Sequence, residues 1–319
     1  MRFRATIENV PIFYRLIQAV EKLQKKCIIK FTENEMHVIC NDDANEGGIQ
    51  VWSVVKVESM FTSYRIQSNA NNEITVTLSA EALLSALRSS SSSASSSSVA
   101  ASLIPTYDAD EVVMKLAKKN DQAVLSFEMF GMSRSGRKVR VAHDVRIDVM
   151  RPAEGDKLHE PRCPDPNVHI LLPPLQKLRT IVERIRPLSD VLALRANNSG
   201  TLQLSISTDT VKLETQWVKC ANPSMTKEGL VQIDDDAEDN SLDKPDPDKM
   251  FCVLVSIRSF LKFLNSHVVS TTTIACTSPP AQNRLCHNHC AILYVYIGEI
   301  ADAGGVLTYY IPTVIDGDE

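Results

Sequence analysis

One short stretch of the chain carries side chains that could bind a metal ion. It holds two cysteines and two histidines in the run Cys286-His287-Asn288-His289-Cys290, and Cys276 precedes it. Thiolate and imidazole groups are the usual ligands of structural zinc. Adjacent Cys-His pairs, however, point poorly at one ion, and the strand predicted over 291–297 would send neighbouring side chains to opposite faces. We therefore predict loop residues, with no metal and no other cofactor, and keep a zinc module as an alternative.

A second candidate is acid–base chemistry at His143-Asp144 with Ser133 or Ser135. His143 falls on the apolar positions of its strand and Asp144 on the opposite ones, so the two side chains are predicted to diverge. A buried core histidine is the simpler interpretation. The chain has no nucleophile elbow, no phosphate-binding glycine loop and no His-Glu-x-x-His motif. The acidic run 234–239 lacks the preorganised geometry of a Mg²⁺ site, and we predict that the protein is not an enzyme.

The third set of candidate residues is basic and lies on predicted helices. The chain has a net charge of −5, yet the segments 10–26, 79–89, 174–186 and 256–266 carry eleven Lys and Arg against three Glu. On the first segment the basic side chains form a stripe opposite the apolar face. Exposed helix faces often carry Lys and Arg, but four basic helices in an acidic chain indicate a surface that attracts phosphates without reading bases.

These helices belong to a unit that occurs twice in the chain. Residues 73–89 align without a gap with residues 250–266, and each copy changes from strand-like to helical spacing of its apolar residues. The matched pairs are Ile74/Phe251, Val76/Val253, Leu78/Val255, Leu83/Phe260, Leu84/Leu261 and Leu87/Leu264. Upstream, the helix with Phe13, Leu16, Val20 and Leu23 corresponds to the helix with Leu175, Leu178, Val182 and Ile185. The sequence predicts a duplicated domain of paired βαβ halves.

The bulk composition agrees with two ordinary folded domains. The chain has 319 residues, of which 44% are hydrophobic and 23% charged. The N-terminus leads directly into a strand pattern, so we expect neither a signal peptide nor a membrane span. Eight cysteines are scattered without framework spacing, which predicts reduced thiols in the cytosol or nucleus.

Period-two patterns predict two long strands at 138–149 and 210–218, whose free edges could pair with another chain. Between the copies, four prolines stiffen residues 150–169. We predict an N-terminal domain over 1–149, a connector over 150–169 and a C-terminal domain over 170–319. The serine-rich segment 89–98 and the acidic segment 234–249 are predicted flexible loops.

Several short motifs occur in a characteristic order along the chain. In the first half they are Met1-Arg2-Phe3-Arg4-Ala5, Asn45-Glu46-Gly47-Gly48-Ile49-Gln50-Val51-Trp52, Asn72-Glu73-Ile74, Met132-Ser133-x-Ser135 and Val141-Ala142-His143-Asp144. In the second half they are Glu160-Pro161-x-x-Pro164-Asp165-Pro166, Val168-x-Ile170-x-Leu172-Pro173 and Leu307-Thr308-Tyr309-Tyr310-Ile311-Pro312. Together they resemble the Hus-type subunit of the checkpoint sliding clamp, the nine-one-one complex, from residue 1 to about 315.

The resemblance implies a PCNA-like α+β clamp fold, with helices lining a ring and sheets outside. The chain would form a heterotrimer with two Rad-type subunits, be placed on double-stranded DNA at damage sites by a clamp loader, and recruit checkpoint and repair proteins in the nucleus. The residues implied to face the DNA backbone are Arg15, Lys22, Lys25, Lys26, Arg88, Lys177, Arg184, Arg258 and Lys262. Those implied to lie at the subunit interfaces are Val139, Val141, Val145, Ile147, Val211, Leu213 and Thr215.

The same resemblance places the connector on the outside, over the pocket where clamp partners dock peptides. Two further alternatives stay open. One is a homotrimeric replicative clamp, in which strand 138–149 would pair with strand 210–218 of a second copy. The other is a small protein that reads DNA bases with its side chains.

Overall fold

The computed structural model describes residues 1–41, 48–91, 107–133, 137–163, 166–223, 246–270, 272–277, 290–298 and 303–314. Contacts divide the chain into two compact units. The first comprises Met1–Cys40 and Trp52–His159, and the second comprises Asn41–Val51 and Glu160–Glu319. The division after His159 falls within the segment 150–169 predicted as a connector.

The first unit is a large antiparallel sheet with two long helices on one face. Its strands are β1 (Arg2–Ile7), β2 (Lys26–Phe31), β3 (Glu35–Cys40), β4 (Gln50–Lys56), β5 (Phe61–Gln67), β6 (Ile74–Ser79), β7 (Tyr107–Lys119), β8 (Gln122–Ser133) and β9 (Lys138–Val149). Its helices are α1 (Val10–Glu21), α2 (Val57–Met60), α3 (Ala80–Ser91) and α4 (Pro152–Gly155). The strand order is β4-β3-β2-β6-β9-β8-β7-β1-β5.

The second unit has two four-stranded arrangements and two long helices. Its strands are β10 (Val168–Leu171), β11 (Val191–Ala196), β12 (Leu202–Ser207), β13 (Lys212–Trp217), β14 (Phe251–Ser256), β15 (Thr273–Thr277), β16 (Cys290–Ile297) and β17 (Gly305–Pro312). Its helices are α5 (Leu175–Ile185) and α6 (Ile257–Leu264), and a 3-10 turn covers Asn265–Val268. The strand orders are β13-β12-β11-β14 and β10-β15-β16-β17.

The structure confirms the duplication predicted from the sequence. β6 leads directly into α3, and β14 leads directly into α6. The paired strand residues, from Ile74/Phe251 to Leu78/Val255, are buried in both copies, and so are Leu83/Phe260 and Leu87/Leu264. Each of α1 and α5 is followed by two antiparallel strands. By chain order, β13 is the counterpart of β4, and β17 is the counterpart of β9.

The first helix begins where its sequence predicts but ends earlier. Asn9 caps it, since its side-chain oxygen accepts the backbone N–H of Ile12 at 3.3 Å. The helix ends at Glu21 rather than at residue 26 because Leu23 and Gln24 turn into the core and β2 begins at Lys26. The helices predicted at 79–89, 174–186 and 256–266 are present, although α6 buries Phe263 where the sequence predicts Leu261.

Other predicted boundaries shift by a few residues. Helix α3 continues through Ser91, three residues into the predicted serine loop, and the rest of that loop lies outside the described residues. Most of the predicted acidic loop, 234–249, also lies outside the described residues. The predicted connector contains the short helix α4, and β10 begins within its predicted end because Val168 and Ile170 are fully buried. Among the described residues, no helix is long and apolar enough to cross a membrane.

Candidate nucleic-acid interface and subunit edges

The long helices of each unit pack against one another and turn their apolar sides to the sheet. In the first unit α1 contacts α3, and in the second α5 contacts α6. Helix α5 is representative, because its buried residues Leu175, Leu178, Val182 and Ile185 recur every three or four positions. Each helix therefore presents its other side to solvent, and the predicted phosphate-attracting residues must be judged by whether they lie there.

In the first unit, three predicted cations lie on the exposed side of the helices or just past their ends. Arg15 on α1 is exposed between the buried residues Phe13 and Leu16. Arg88 is exposed in the last turn of α3. Lys22 follows α1 and places its ammonium 2.9 Å from Glu21, with 57% of its side chain exposed. A surface ion pair of this kind contributes little to the stability of the protein, so the lysine can exchange it for contact with a phosphate.

The prediction that Lys25 and Lys26 lie on the first helix is wrong. Lys25 sits in the bend before β2, where its carbonyl accepts the N–H of Ala80 at 3.0 Å. Lys26 is the first residue of β2 and pairs with Ser79. Its neighbour Cys27 is buried in the core, so by strand alternation Lys26 faces the side of the sheet away from the helices.

Lys26 instead lines a small cavity of about 270 Å³ on that outer side of the sheet. Arg146 and Asp148 from β9 and Gln122 from the start of β8 line the same cavity. Lys26 therefore belongs to a surface separate from that of Arg15 and Arg88.

In the second unit, α5 and α6 carry the four remaining predicted cations. Lys177 and Arg184 are exposed on α5, and Arg258 is exposed in the first turn of α6. Lys262 is half-buried near the end of α6. All four lie off the buried stripe of their helix, on the side where the sequence predicts a basic face.

Arg179 has a structural role that its charge alone does not reveal. Its Nε donates to Glu183 at 2.8 Å, and its Nη1 donates to the side-chain oxygen of Asn265 at 2.6 Å. Asn265 follows the last residue of α6, so Arg179 links the two helices of the second unit. These two hydrogen bonds fix the position of its guanidinium.

Replacing Arg179 by alanine is expected to lower the free energy of unfolding by about 1 kcal/mol, because a charged hydrogen bond to Asn265 and a half-exposed ion pair are lost. Urea denaturation measures this change. The matched control is Lys177→Ala on the same helix, which is expected to change stability by less than about 0.5 kcal/mol. Equal effects of the two substitutions would contradict the linking role of Arg179.

Strand β9 provides the first open sheet edge. One side pairs with β8 from Lys138 to Arg146, whereas among the described residues the other side pairs with β6 over Ile147–Val149 alone. Val139 and Val141 are half-buried near the unpaired stretch. Val145 and Ile147 are buried in the chain's own core, so as interface residues they could contribute backbone but not side-chain contacts.

Strand β13 provides the second open edge. It ends its sheet, with β12 as its partner strand in the part of the chain that the structure describes. Leu213 and Thr215 are half-buried on this strand. Val211, predicted inside the strand, lies in the preceding turn, where its N–H donates to Oγ1 of Thr208 at 3.1 Å.

Val139 and Val141 of β9, and Leu213 and Thr215 of β13, form two half-buried rows. The internal repeat shows that such rows are unusual. In β17, the counterpart of β9, Leu307, Tyr309 and Ile311 are fully buried. In β4, the counterpart of β13, Ser53 and Val55 are buried as well. The rows of β9 and β13 are thus more exposed to solvent than the matching residues of their counterparts. Such exposure is expected of strands that pair with another protein.

The structure describes only part of the two catalytic or metal candidates of the sequence. His143 and Asp144 lie on opposite faces as predicted, and Asp144 accepts a 2.6 Å bond from Lys119, which lowers the pKa of that carboxyl. His143 is half-buried rather than buried. Ser135 and Cys286–His289 lie outside the described residues. Cys290 does have a sulfur neighbour, Cys163, which sequence reasoning missed because 127 positions separate the two.

Comparison with solved structures identifies the class to which this fold belongs. Proliferating cellular nuclear antigen from Entamoeba histolytica superposes with a TM-score of 0.64 at 11% identity, covering 98% of this chain and 99% of that one. The chain therefore has the fold of a PCNA-like clamp, as the sequence predicts.

Sequence comparison defines the family. The model of the family described as "Hus1-like protein" matches residues 1–315, and the chain belongs to this family. Checkpoint protein hus1 of Schizosaccharomyces pombe is 30% identical over 317 residues, covering 99% of this chain and 100% of that protein. Checkpoint protein HUS1 of Homo sapiens is 29% identical over 293 residues, covering 90% and 94%.

Proposed function

We propose that this chain is one subunit of a heterotrimeric checkpoint clamp that encircles double-stranded DNA at damage sites in the nucleus. Two Rad-type subunits would complete the ring, a clamp loader would place it on DNA, and the ring would then recruit checkpoint and repair proteins without catalysing a reaction itself. The observation that carries the proposal is the pair of open edges, β9 and β13, each with a half-buried apolar row.

The basic helix surface supports the DNA-binding part of the proposal. Arg15, Lys177, Arg184 and Arg258 project from three helices and are exposed. Flexible cations of this kind neutralise phosphates of any sequence and release counterions, which suits a ring that must slide. Reading of bases would require a helix or ribbon that enters a groove, whereas neutralising phosphates requires only exposed cations.

Membership of the Hus1-like family favours the checkpoint ring over a homotrimeric replicative clamp. The heterotrimeric and the homotrimeric ring differ in the strand that pairs with each open edge. In a homotrimer, β9 of one copy would pair with β13 of the next, whereas in a heterotrimer each edge would meet a different protein.

Sedimentation equilibrium of the purified chain at micromolar concentration separates these two assemblies. A single species near 35.4 kDa is expected, because each edge requires a partner that is absent from the sample. Addition of the two Rad-type subunits should then give one complex with a single copy of each chain. A self-associated species of three times the monomer mass would overturn the heterotrimer in favour of the replicative clamp.

A further inference from the structure

Two cysteines that are remote in sequence meet within the second unit. Cys163 lies in residues 160–163 of the connector, here called the connector exit, and Cys290 is the first residue of β16. Their sulfur atoms are 2.8 Å apart. Cys290 is 6% exposed, whereas Cys163 is half-buried. Two thiols at this distance are within reach of a covalent bond after small side-chain rotations.

A second contact joins the connector exit to the same sheet near the pair. Three residues before Cys163, the carboxylate of Glu160 accepts a 2.8 Å hydrogen bond from the hydroxyl of Tyr310 on β17. Cys290 pairs with Pro312 of β17, and Tyr310 pairs with Ile292, so the two contacts lie on adjacent strands. The connector exit is therefore already held over the β16–β17 side of the sheet at two points, which keeps the sulfur atoms close.

The electrostatics of the pair assign different chemical roles to its members. The hydrogen bond between the two thiols lowers the pKa of Cys163. The same contact, together with burial, raises the pKa of Cys290. The thiolate is the form that reacts with peroxides, and reactivity follows thiolate character and exposure. Cys163 combines the lower pKa with the greater exposure.

We propose that Cys163 and Cys290 form a reversible disulfide on exposure to a hydroperoxide, with Cys163 as the oxidised thiol and Cys290 as the resolving thiol. With hydrogen peroxide, the Cys163 thiolate attacks one oxygen, the O–O bond breaks, and a sulfenic acid and hydroxide form. The Cys290 sulfur then attacks the sulfenic sulfur, the S–O bond breaks, and the hydroxyl leaves as water with the Cys290 proton. Two molecules of a small thiol reverse the reaction by exchange and leave as their own disulfide.

The new bond would fix the connector exit to β16. In the reduced protein, hydrogen bonds hold residues 160–163 there; in the oxidised protein, a covalent bond does. The inference depends only on contacts within the second unit and does not rest on ring assembly.

Peptide mapping of the full chain after treatment with hydrogen peroxide tests the proposal. Trypsin cleavage after Arg162 and Arg284 releases the two sulfur atoms on separate peptides, but the second peptide contains both Cys286 and Cys290. The matched variants are therefore Cys290→Ser and Cys286→Ser. We expect the linked peptide pair in the native chain and in Cys286→Ser, its loss in Cys290→Ser, and its disappearance after dithiothreitol.

Two further measurements extend the test, and the second uses the native chain, so it does not depend on the folding of a variant. In Cys290→Ser, the sulfenic acid on Cys163 should persist and be trapped by dimedone. In the native chain, deuterium uptake of the backbone amides of Glu160, Arg162 and Cys163 should fall on oxidation. A linked pair that survives in Cys290→Ser, or oxidation of Cys163 in the native chain to sulfinic acid without any linked peptide, would overturn the proposal.

Discussion

Replacing Arg15, Lys177, Arg184 and Arg258 together by alanine is expected to make DNA binding markedly less dependent on salt concentration. Each neutralised phosphate contributes about 0.9 to the slope of log K against log salt concentration. If all four side chains contact phosphates, the slope should become shallower by about 3.6. The measurement is fluorescence anisotropy of a labelled duplex, titrated with the reconstituted trimer at several salt concentrations.

A charge-matched control separates this surface from the net charge of the protein. Arg2 and Arg4 on β1, Lys56 at the end of β4 and Lys118 on β7 are four exposed cations of the strands. Their combined replacement by alanine changes the net charge by the same amount. We expect the slope to stay near that of the native trimer, and equal losses from both sets would contradict a dedicated helix surface.

Introducing a carboxylate at one open edge is expected to remove one partner from the complex and leave the other. Val141→Asp on β9 and Leu213→Asp on β13 each place a charge in a half-buried apolar row that pairing would cover. Burial of an unpaired carboxylate costs about 2–4 kcal/mol, or roughly thirtyfold to a thousandfold in affinity. Sedimentation velocity of each variant with the two Rad-type subunits, singly and together, shows which contact is lost.

The control for these substitutions is Val149→Asp, at the far end of β9. Val149 is 38% exposed and lies opposite Val76, where β6 already occupies the edge. The trimer should form normally with this variant, and thermal unfolding should show all three variants folded. Loss of the same partner in both Val141→Asp and Leu213→Asp would contradict two distinct edges.

The duplicated architecture could be predicted because it depends on local periodicity. The change from period-two to helical spacing at Ile74–Leu87 recurs at Phe251–Leu264, and burial follows it in both copies. Periodicity reports which side of an element is apolar. It locates element ends less well, as α1 shows: basic residues continue to Lys26, but Leu23 and Gln24 are taken up by the core.

Residue type and spacing by themselves thus determined the duplicated strand-and-helix layout, the basic sides of the helices and the two long strands with free edges. Only the tertiary structure decided that Lys26 faces away from the helices, that Val145 and Ile147 are core residues, and that Arg179 joins two helices. It also brought Cys163 to Cys290 across 127 positions. The physical reason is that register and long-range packing depend on which elements meet, and a local sequence pattern carries no information about its partner.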